Sequence, residues 1–423
     1  MSLACPLPAR AGPRGFEKAL DREATRDLLE ARICVGARIL DLEPDYLRFK
    51  GGDGALVGWR VEIERSGGGA IGGYVTLRAA DSRRLRDEAA KLAWKKGEIR
   101  DGLRAFALCE EEGLLVLSYP LDRAIPDLRR LSRVSRFRDL VKENVPSILP
   151  EGFRISKRRS RSLLVRYKPE RRAVLRWSLG LVGPAGEERS LGLYLRLHAR
   201  PDARTACRVL RACRAAALPA PRLLHAERDR LVLESECEGR PLDPAEPKDL
   251  EAAAGILERF HRIPPPKELP DRSPASLLAQ AASLREDYAV LDPSLGESAG
   301  RLFAVLQARL PAQRPPVLVH GDFHSGQVLL SGGVTALLDF DRSGLGDPEW
   351  DAAVFEAHLR ASGAEHPVPD LCASRDPERL RWHRAFALLR VAILPFRSLS
   401  SEWPARVRAL LEEGLRLYDS EAR

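Results

Sequence analysis

The chain has 423 residues, 44% of them hydrophobic and 30% charged, which describes a soluble globular protein of more than one structural unit. No stretch approaches the roughly 20 apolar residues of a membrane-spanning helix. The formal charge of +9 rests mainly on arginines that alternate with acids along the whole chain, a pattern that argues against a dedicated nucleic-acid surface.

The start, Met1 to Gly15, lacks an apolar signal core, so export is not expected, and Ser2–Cys5 fails as a lipoprotein signal for the same reason. Seven cysteines are scattered, with no C-x-x-C pair. Neither a disulfide framework nor a structural zinc site is expected, and a reducing cytoplasm fits best.

A repeat organises the first half of the chain. Tyr46–Lys50 is echoed by Leu164–Lys168, and each is followed by a turn and an apolar strand carrying a tryptophan, Trp59 and Trp177. Next come Tyr74–Arg78 and Leu193–Arg196, then helical patterns over about Asp81–Lys95 and Pro201–Ala216. A hairpin-like pair of strands ends each unit, at Leu115–Leu117 and Leu231–Leu233. Lys50 to Lys168, Trp59 to Trp177 and Leu77 to Leu195 share one offset, 118 residues. A constant offset over ordered features predicts a duplicated unit of three strands, a helix and two strands. The first copy is expected over 1–130, a helix and linker over 131–159, the second copy over 160–238 and a helical region over 239–423. Lys157–Arg159 and Arg171–Arg172 read as solvated loops.

The chemistry concentrates inside the helical region. His320-Gly321-Asp322-Phe323-His324-Ser325-Gly326-Gln327 leads into two short apolar runs joined by Gly332–Gly333, and these are followed by Asp339-Phe340-Asp341. The Gly-Gly turn predicts a hairpin with Gln327 and Asp339 at its open end, about one strand spacing apart, roughly 5 Å. Asp322 lies on the loop entering that end. Carboxylate and amide oxygens gathered in this way suit Mg²⁺.

The His320–Gln327 segment resembles the H-G-D-x-x-x-x-N catalytic loop of the aminoglycoside phosphotransferase and choline kinase families. Leu337–Asp341, with Gly346-Asp347-Pro348 and Asp351 beyond it, is similar to their metal-binding motif. Leu231–Glu234 with Gly239–Pro241 resembles the hinge, and Ile256–His261 the first helix of the second lobe. The resemblance spans about 160–397. It implies an α+β, protein-kinase-like bilobal fold, β-rich then helical, preceded by the extra copy of the β-rich lobe. It further implies transfer of the ATP γ-phosphate to a hydroxyl of a small acceptor: a sugar, an aminoglycoside-like compound or an amino alcohol. Asp322 is the implied base, Gln327, Asp339 and Asp341 the implied Mg²⁺ ligands, and Lys168, Arg196, Glu234 and Glu236 the implied ATP contacts. His320 and His324 are read as bracing the loop, Asp347 and Asp351 as helix caps that fix it.

Three departures qualify the match. Gln327 replaces the usual asparagine, as in the similar maltokinases. Arg196 replaces the phosphate-gripping lysine, and the helix after it has no glutamate to pair with it. In the first copy the counterparts are Arg78 and Glu88, with no catalytic loop after them. The alternative is therefore a pseudokinase, a regulatory protein that binds a nucleotide or metabolite, and the first copy offers a docking surface for a protein partner.

Overall fold

A computed structural model describes residues 5–49, 54–65, 68–363, 371 and 376–419. Lys50, the proline break at 367–369 and Cys372 lie outside the described residues.

In chain order the first elements are α1 (Phe16–Leu20), α2 (Arg22–Arg32), β1 (Ala37–Phe49), β2 (Ala55–Arg65), β3 (Ala70–Ala79), α3 (Ser82–Ala90), β4 (Ile99–Arg100), β5 (Leu103–Arg104), β6 (Phe106–Cys109) and β7 (Leu114–Ser118). Then come α4 (Pro126–Leu131), α5 (Val134–Asn144), β8 (Arg154–Lys168), β9 (Arg172–Val182), β10 (Glu188–His198), α6 (Arg204–Ala215), β11 (Leu223–Glu227) and β12 (Leu231–Ser235). The remainder is β13 (Arg240–Pro241), α7 (Pro247–His261), β14 (Asp271–Arg272), α8 (Pro274–Gln280), α9 (Leu284–Leu291), α10 (Pro293–Ala308), β15 (Val317–Val319), β16 (Val328–Ser331), β17 (Val334–Leu337), β18 (Gly344–Gly346), α11 (Glu349–Ser362), α12 (Pro377–Val391), α13 (Leu394–Arg397) and α14 (Trp403–Asp419). None of the described helices is long and apolar enough to cross a membrane.

The chain forms two compact units. One comprises 1–123, 283–301 and 392–412; the other 124–282, 302–391 and 413–423.

The first unit is built on an antiparallel sheet of order β1-β2-β3-β7-β6. Alternation of apolar and polar residues buries Val57, Trp59, Val61 and Ile63 along β2. The Trp59 indole N–H donates to the Ala19 carbonyl at 3.0 Å. Late segments complete the same unit: Phe49 packs edge-on against Phe396. Trp403 Nε1 donates to the Pro6 carbonyl at 2.8 Å, and Ala9 N to the Leu291 carbonyl at 2.6 Å.

The second unit opens with a sheet of order β8-β9-β10-β12-β11, the same order with each strand advanced to its counterpart. Register agrees as well. Arg48 pairs with Leu56 and Leu56 with Arg78 in the first sheet, while Arg166 pairs with Val174 and Val174 with Arg196 in the second. The offset is again 118 at each position.

The expected linker is packed structure. α5 lays Phe137 flat on Trp177, ring centroids 4.3 Å apart, so an amphipathic helix covers the apolar face of β9. Lys157–Arg159, read as a loop, lie in β8, where the pairing register shifts between Ser156 and Arg161. A strand can carry such a basic run at a sheet edge, where its side chains reach water.

Below the sheet, α6 and α7 share a core with the hairpin β16–β17 and α11. Val209, Leu210, Ile256, Phe260, Phe323, Val328, Leu337, Phe340 and Phe355 are all buried in it. Phe323 and Phe340 belong to the two motif loops, so this core fixes both loops from beneath.

Candidate active site

The loop after β15 begins with a clamp. Asp351, on the first turn of α11, is fully buried and accepts hydrogen bonds from the backbone N–H groups of His320 and Gly321, both at 2.7 Å. Its Oδ2 also lies 2.9 Å from His261 Nε2 at the end of α7. Gly321 sits at φ 78°, and a Cβ there would stand 2.2 Å from the Arg342 carbonyl. Only glycine allows the loop to pass so close to the chain after Asp341. His320 Nε2 bonds to the Leu338 carbonyl at 2.7 Å, tying the first motif to the second. The bracing role read for His320 is the role seen.

Leu338 N donates to the Gln327 carbonyl at 2.9 Å, so Gln327 and Asp339 do flank the open end of the β16–β17 hairpin. Asp339 has φ 56°, a left-handed conformation that costs a non-glycine residue about 1–3 kcal/mol and marks functional positions. Gly326 N donates to His324 Nδ1 at 3.1 Å, and the other ring nitrogen, Nε2, lies 3.1 Å from Gln327 Nε2. Burial holds His324 below the usual histidine range, so it braces Gln327 as a neutral ring.

Asp339 and Asp341 meet two arginines. Arg172, the first residue of β9, approaches Asp339 with both terminal nitrogens at 3.3 Å and also bonds Asp341. Arg196 on β10 lies 3.1 Å from Asp339 and 3.0 Å from Asp341 through Nη1, and 2.5 Å from Glu234 through Nη2. Burial works against the Arg196 charge, but Asp341, Glu234 and Asp339 outweigh it and hold the guanidinium charged. Burial alone would raise the pKa of Asp339; Arg172, Arg196 and His320 instead bring it well below the carboxylate range. Glu234 is pushed up by its burial.

Glu234 answers the question posed by the missing helix glutamate. Arg196 pairs with Val232 across β10–β12, so Glu234, two residues on, is its diagonal neighbour on the same face. In the first sheet Arg78 takes its carboxylate from α3 instead: Glu88 is 2.8 Å away. The helix position corresponding to Glu88 in the second unit is Ala206, which is buried.

Of the two other expected nucleotide contacts, Lys168 is the strand partner of Arg172 and Glu236 follows the last residue of β12. Lys168 ends β8; burial, followed by Arg172, Arg166, Arg342 and Arg171, lowers its pKa to about 8. Glu236 is paired with Arg176 on β9 at 2.5 Å, a partly exposed contact at the end of β12.

Asp322 stands between two arginines that sequence reasoning did not assign: Arg342 Nε is 3.6 Å from Oδ2, and Arg390 Nη2 is 3.5 Å from Oδ1. Burial would raise its pKa, yet Arg342 and Arg390, with His358 and His324, hold it below the usual carboxylate value. His358 stacks on His324 with ring centroids 4.6 Å apart. Burial, then His324, lowers its pKa to about 4. A signal for His358 existed: Asp351, Phe355 and His358 fall at i, i+4 and i+7 on one face of α11. Arg390, some 70 residues along the chain, carried none. Asp347 does not cap α11 with its side chain. It accepts from Arg314 at 3.1 Å, Arg379 at 2.6 Å and His383 at 2.9 Å, a buried ion network, which brings its pKa to about 2 against its own burial.

The sequence of residues 156–383, more than half of the chain, matches the model of the phosphotransferase enzyme family (APH). The chain belongs to this family. Its fold is the α+β, protein-kinase-like one, with the sheet β8–β12 followed by the helical region, and its enzyme class is that of small-molecule phosphotransferases. No curated protein matches the sequence. Among solved structures it is similar to a thermostable mutant of aminoglycoside phosphotransferase APH(4)-Ia in ternary complex with ADP and hygromycin B (17% identity over 66% of this chain and 98% of that one, TM-score 0.46). It is also similar to macrolide 2'-phosphotransferase MphH from Brachybacterium faecium (17%, 68% and 97%, 0.40) and to choline kinase from Cryptosporidium parvum Iowa II (9%, 68% and 95%, 0.46). The family assignment rests on the residues 156–383 alone.

Proposed function

We propose that this phosphotransferase moves the γ-phosphate of ATP to a hydroxyl of a small metabolite. Asp322 is the base and Asp339, Asp341 and Gln327 are the groups for Mg²⁺. The observation that carries the reading is the shared anchoring of the two motif loops: Asp351 fixes the Asp322 loop, and His320 links that loop to the backbone before Asp339. The donor set is oxygen only, and its two carboxylates already attract guanidinium cations, so a hard divalent cation fits it. Mg²⁺ bound there would neutralise charge on the ATP phosphates.

The acceptor oxygen forms a bond to the γ-phosphorus as the bond to the β-phosphate oxygen breaks, and ADP leaves. Asp322 orients the hydroxyl and takes its proton, a contribution of about 10²–10⁴ in rate. Held below the usual carboxylate range, it is ionised at neutral pH and ready for that role. Arg196, Lys168 and Arg172 address the nucleotide phosphates, with Glu234 steadying Arg196; Glu236 is the remaining candidate contact.

The second reading, a pseudokinase that binds a nucleotide without turnover, is favoured by one feature: Arg172 and Arg196 already engage both metal carboxylates. Asp322→Asn decides between them. The expected result is loss of phosphoryl transfer by about 10²-fold or more, with the fold and calorimetric ATP affinity unchanged. A variant that transfers phosphate within a few-fold of the parent removes Asp322 from the base role. A parent that binds ATP but transfers to no acceptor supports the regulatory reading. The first sheet, alike in order and register, is proposed as a non-catalytic copy of the second and a surface for a protein partner.

A further inference from the structure

The surroundings of Asp322 carry more positive charge than one carboxylate requires. Arg342 and Arg390 approach its two oxygens from different elements, the turn after Asp341 and the last turn of α12. Arg272, the last residue of β14, is a third. Its Nε donates to the Arg342 carbonyl at 3.2 Å and its Nη1 to Gln280 Oε1 at 2.9 Å. Burial and then Arg342 lower the pKa of Arg272, against the opposing pull of Asp322 and Asp271.

Two guanidinium groups thus contact one carboxylate, and a third, that of Arg272, is tied to the backbone of Arg342. Asp271, beside Arg272, is exposed and accepts from the Ser273 backbone N–H and hydroxyl at 2.7 and 3.0 Å. His358, stacked on His324 with ring centroids 4.6 Å apart, completes the surroundings. The Arg342 contact to Asp322 is long and Arg342 is exposed, so its guanidinium can reach a further partner, while Arg390 is also held by the Gly321 carbonyl at 3.3 Å. A planar fork of N–H donors matches carboxylate and phosphate oxygens.

We infer that the acceptor is an anionic hydroxyl compound, one that carries a carboxylate or phosphate beside the hydroxyl to be phosphorylated. This inference rests on the kinase reading above, because Asp322 marks the acceptor end of the site only if it is the base. The anion docks on Arg342 and Arg272, and Arg390 holds Asp322 toward the hydroxyl. A cationic acceptor would instead meet like charge around the base, an arrangement that rejects it.

The test uses the full chain with radiolabelled ATP and Mg²⁺, and three acceptor sets of similar size: hydroxy acids and sugar phosphates, neutral sugars and polyols, and amino alcohols with aminoglycosides. Transfer is expected to the first set only, and comparison of hydroxy acids with sugar phosphates identifies the anion. Arg342→Ala should raise the acceptor KM about tenfold or more and leave calorimetric ATP affinity as it was. Arg342→Lys should recover part of the loss. Transfer confined to neutral or cationic acceptors overturns the inference and leaves the kinase reading standing. An Arg342→Ala variant that loses ATP affinity while keeping its acceptor KM overturns it too, since the arginine then serves the nucleotide. Absence of transfer to every set overturns both readings together.

Discussion

Arg196 is a buried cation that takes its carboxylate partner Glu234 from the neighbouring strand β12. Its chemistry predicted a phosphate grip without a counter-ion, because the following helix offers none; the counter-ion lies on β12 and is visible only once strand register is known. Arg196 is only 5% exposed, so removing it strands a buried glutamate. Arg196→Ala should therefore destabilise the fold by about 3–5 kcal/mol, read from chemical denaturation. Adding Glu234→Gln should restore much of that loss. Equal stability of the single and double variants would show that the pair is not coupled. Lys168 gives a separate, pH-dependent prediction. Its pKa of about 8 is depressed from 10.5, so the free protein loses this charge as pH rises through 8. ATP phosphates favour the charged form, so calorimetric ATP affinity should fall between about pH 7.5 and 9.5, and Lys168→Arg should flatten that fall. A profile identical in the parent and the variant would remove Lys168 from the phosphate site.

At the level of elements, the strands were legible because period-two alternation and aromatic content mark them clearly, and both sheets formed where they were expected. The open end of the β16–β17 hairpin was legible from its Gly-Gly turn. α5 was not legible as part of the second unit, because its basic flanks and two later prolines resemble a connector, and only the Phe137–Trp177 stack reveals what it covers. The clamp from α11 was half legible: Asp351 was read as fixing the loop, but its two backbone donors could not be named from spacing. Asp351→Ala leaves the His320 and Gly321 N–H groups buried without a partner, each costing about 1–3 kcal/mol. The expected result is a lower Tm together with a kcat loss that acceptor and ATP concentration cannot rescue. Full activity in a stable Asp351→Ala protein would sink the clamp.

For the whole molecule, the first unit is not confined to the first third of the sequence. Segments 283–301 and 392–412 belong to it, and Leu291, Leu295, Phe396 and Trp403 are buried there. A chain beginning at residue 124 would retain these apolar side chains without Phe49 or the backbone partners at Pro6 and Ala9. It should elute as aggregate and bind a hydrophobic dye, whereas the full chain should not. A monomeric, cooperatively melting truncation would show that the first 123 residues are dispensable for folding. The constant 118-residue offset foretold the matching sheets; no local pattern could foretell that late helices complete the first one, since such contacts join distant positions.

The same cation is balanced in two ways in the two sheets, from helix α3 by Glu88 and from strand β12 by Glu234. A pair held between neighbouring strands is as stiff as the hydrogen-bonded ladder that carries it. Swinging α6 outward would leave Arg196 where it is, so this fold has given up the familiar lever by which a moving helix makes or breaks such a pair. Control over the second unit would have to act elsewhere, on the turn between β8 and β9 that carries Lys168 and Arg172, where a short movement takes a guanidinium on or off the carboxylates.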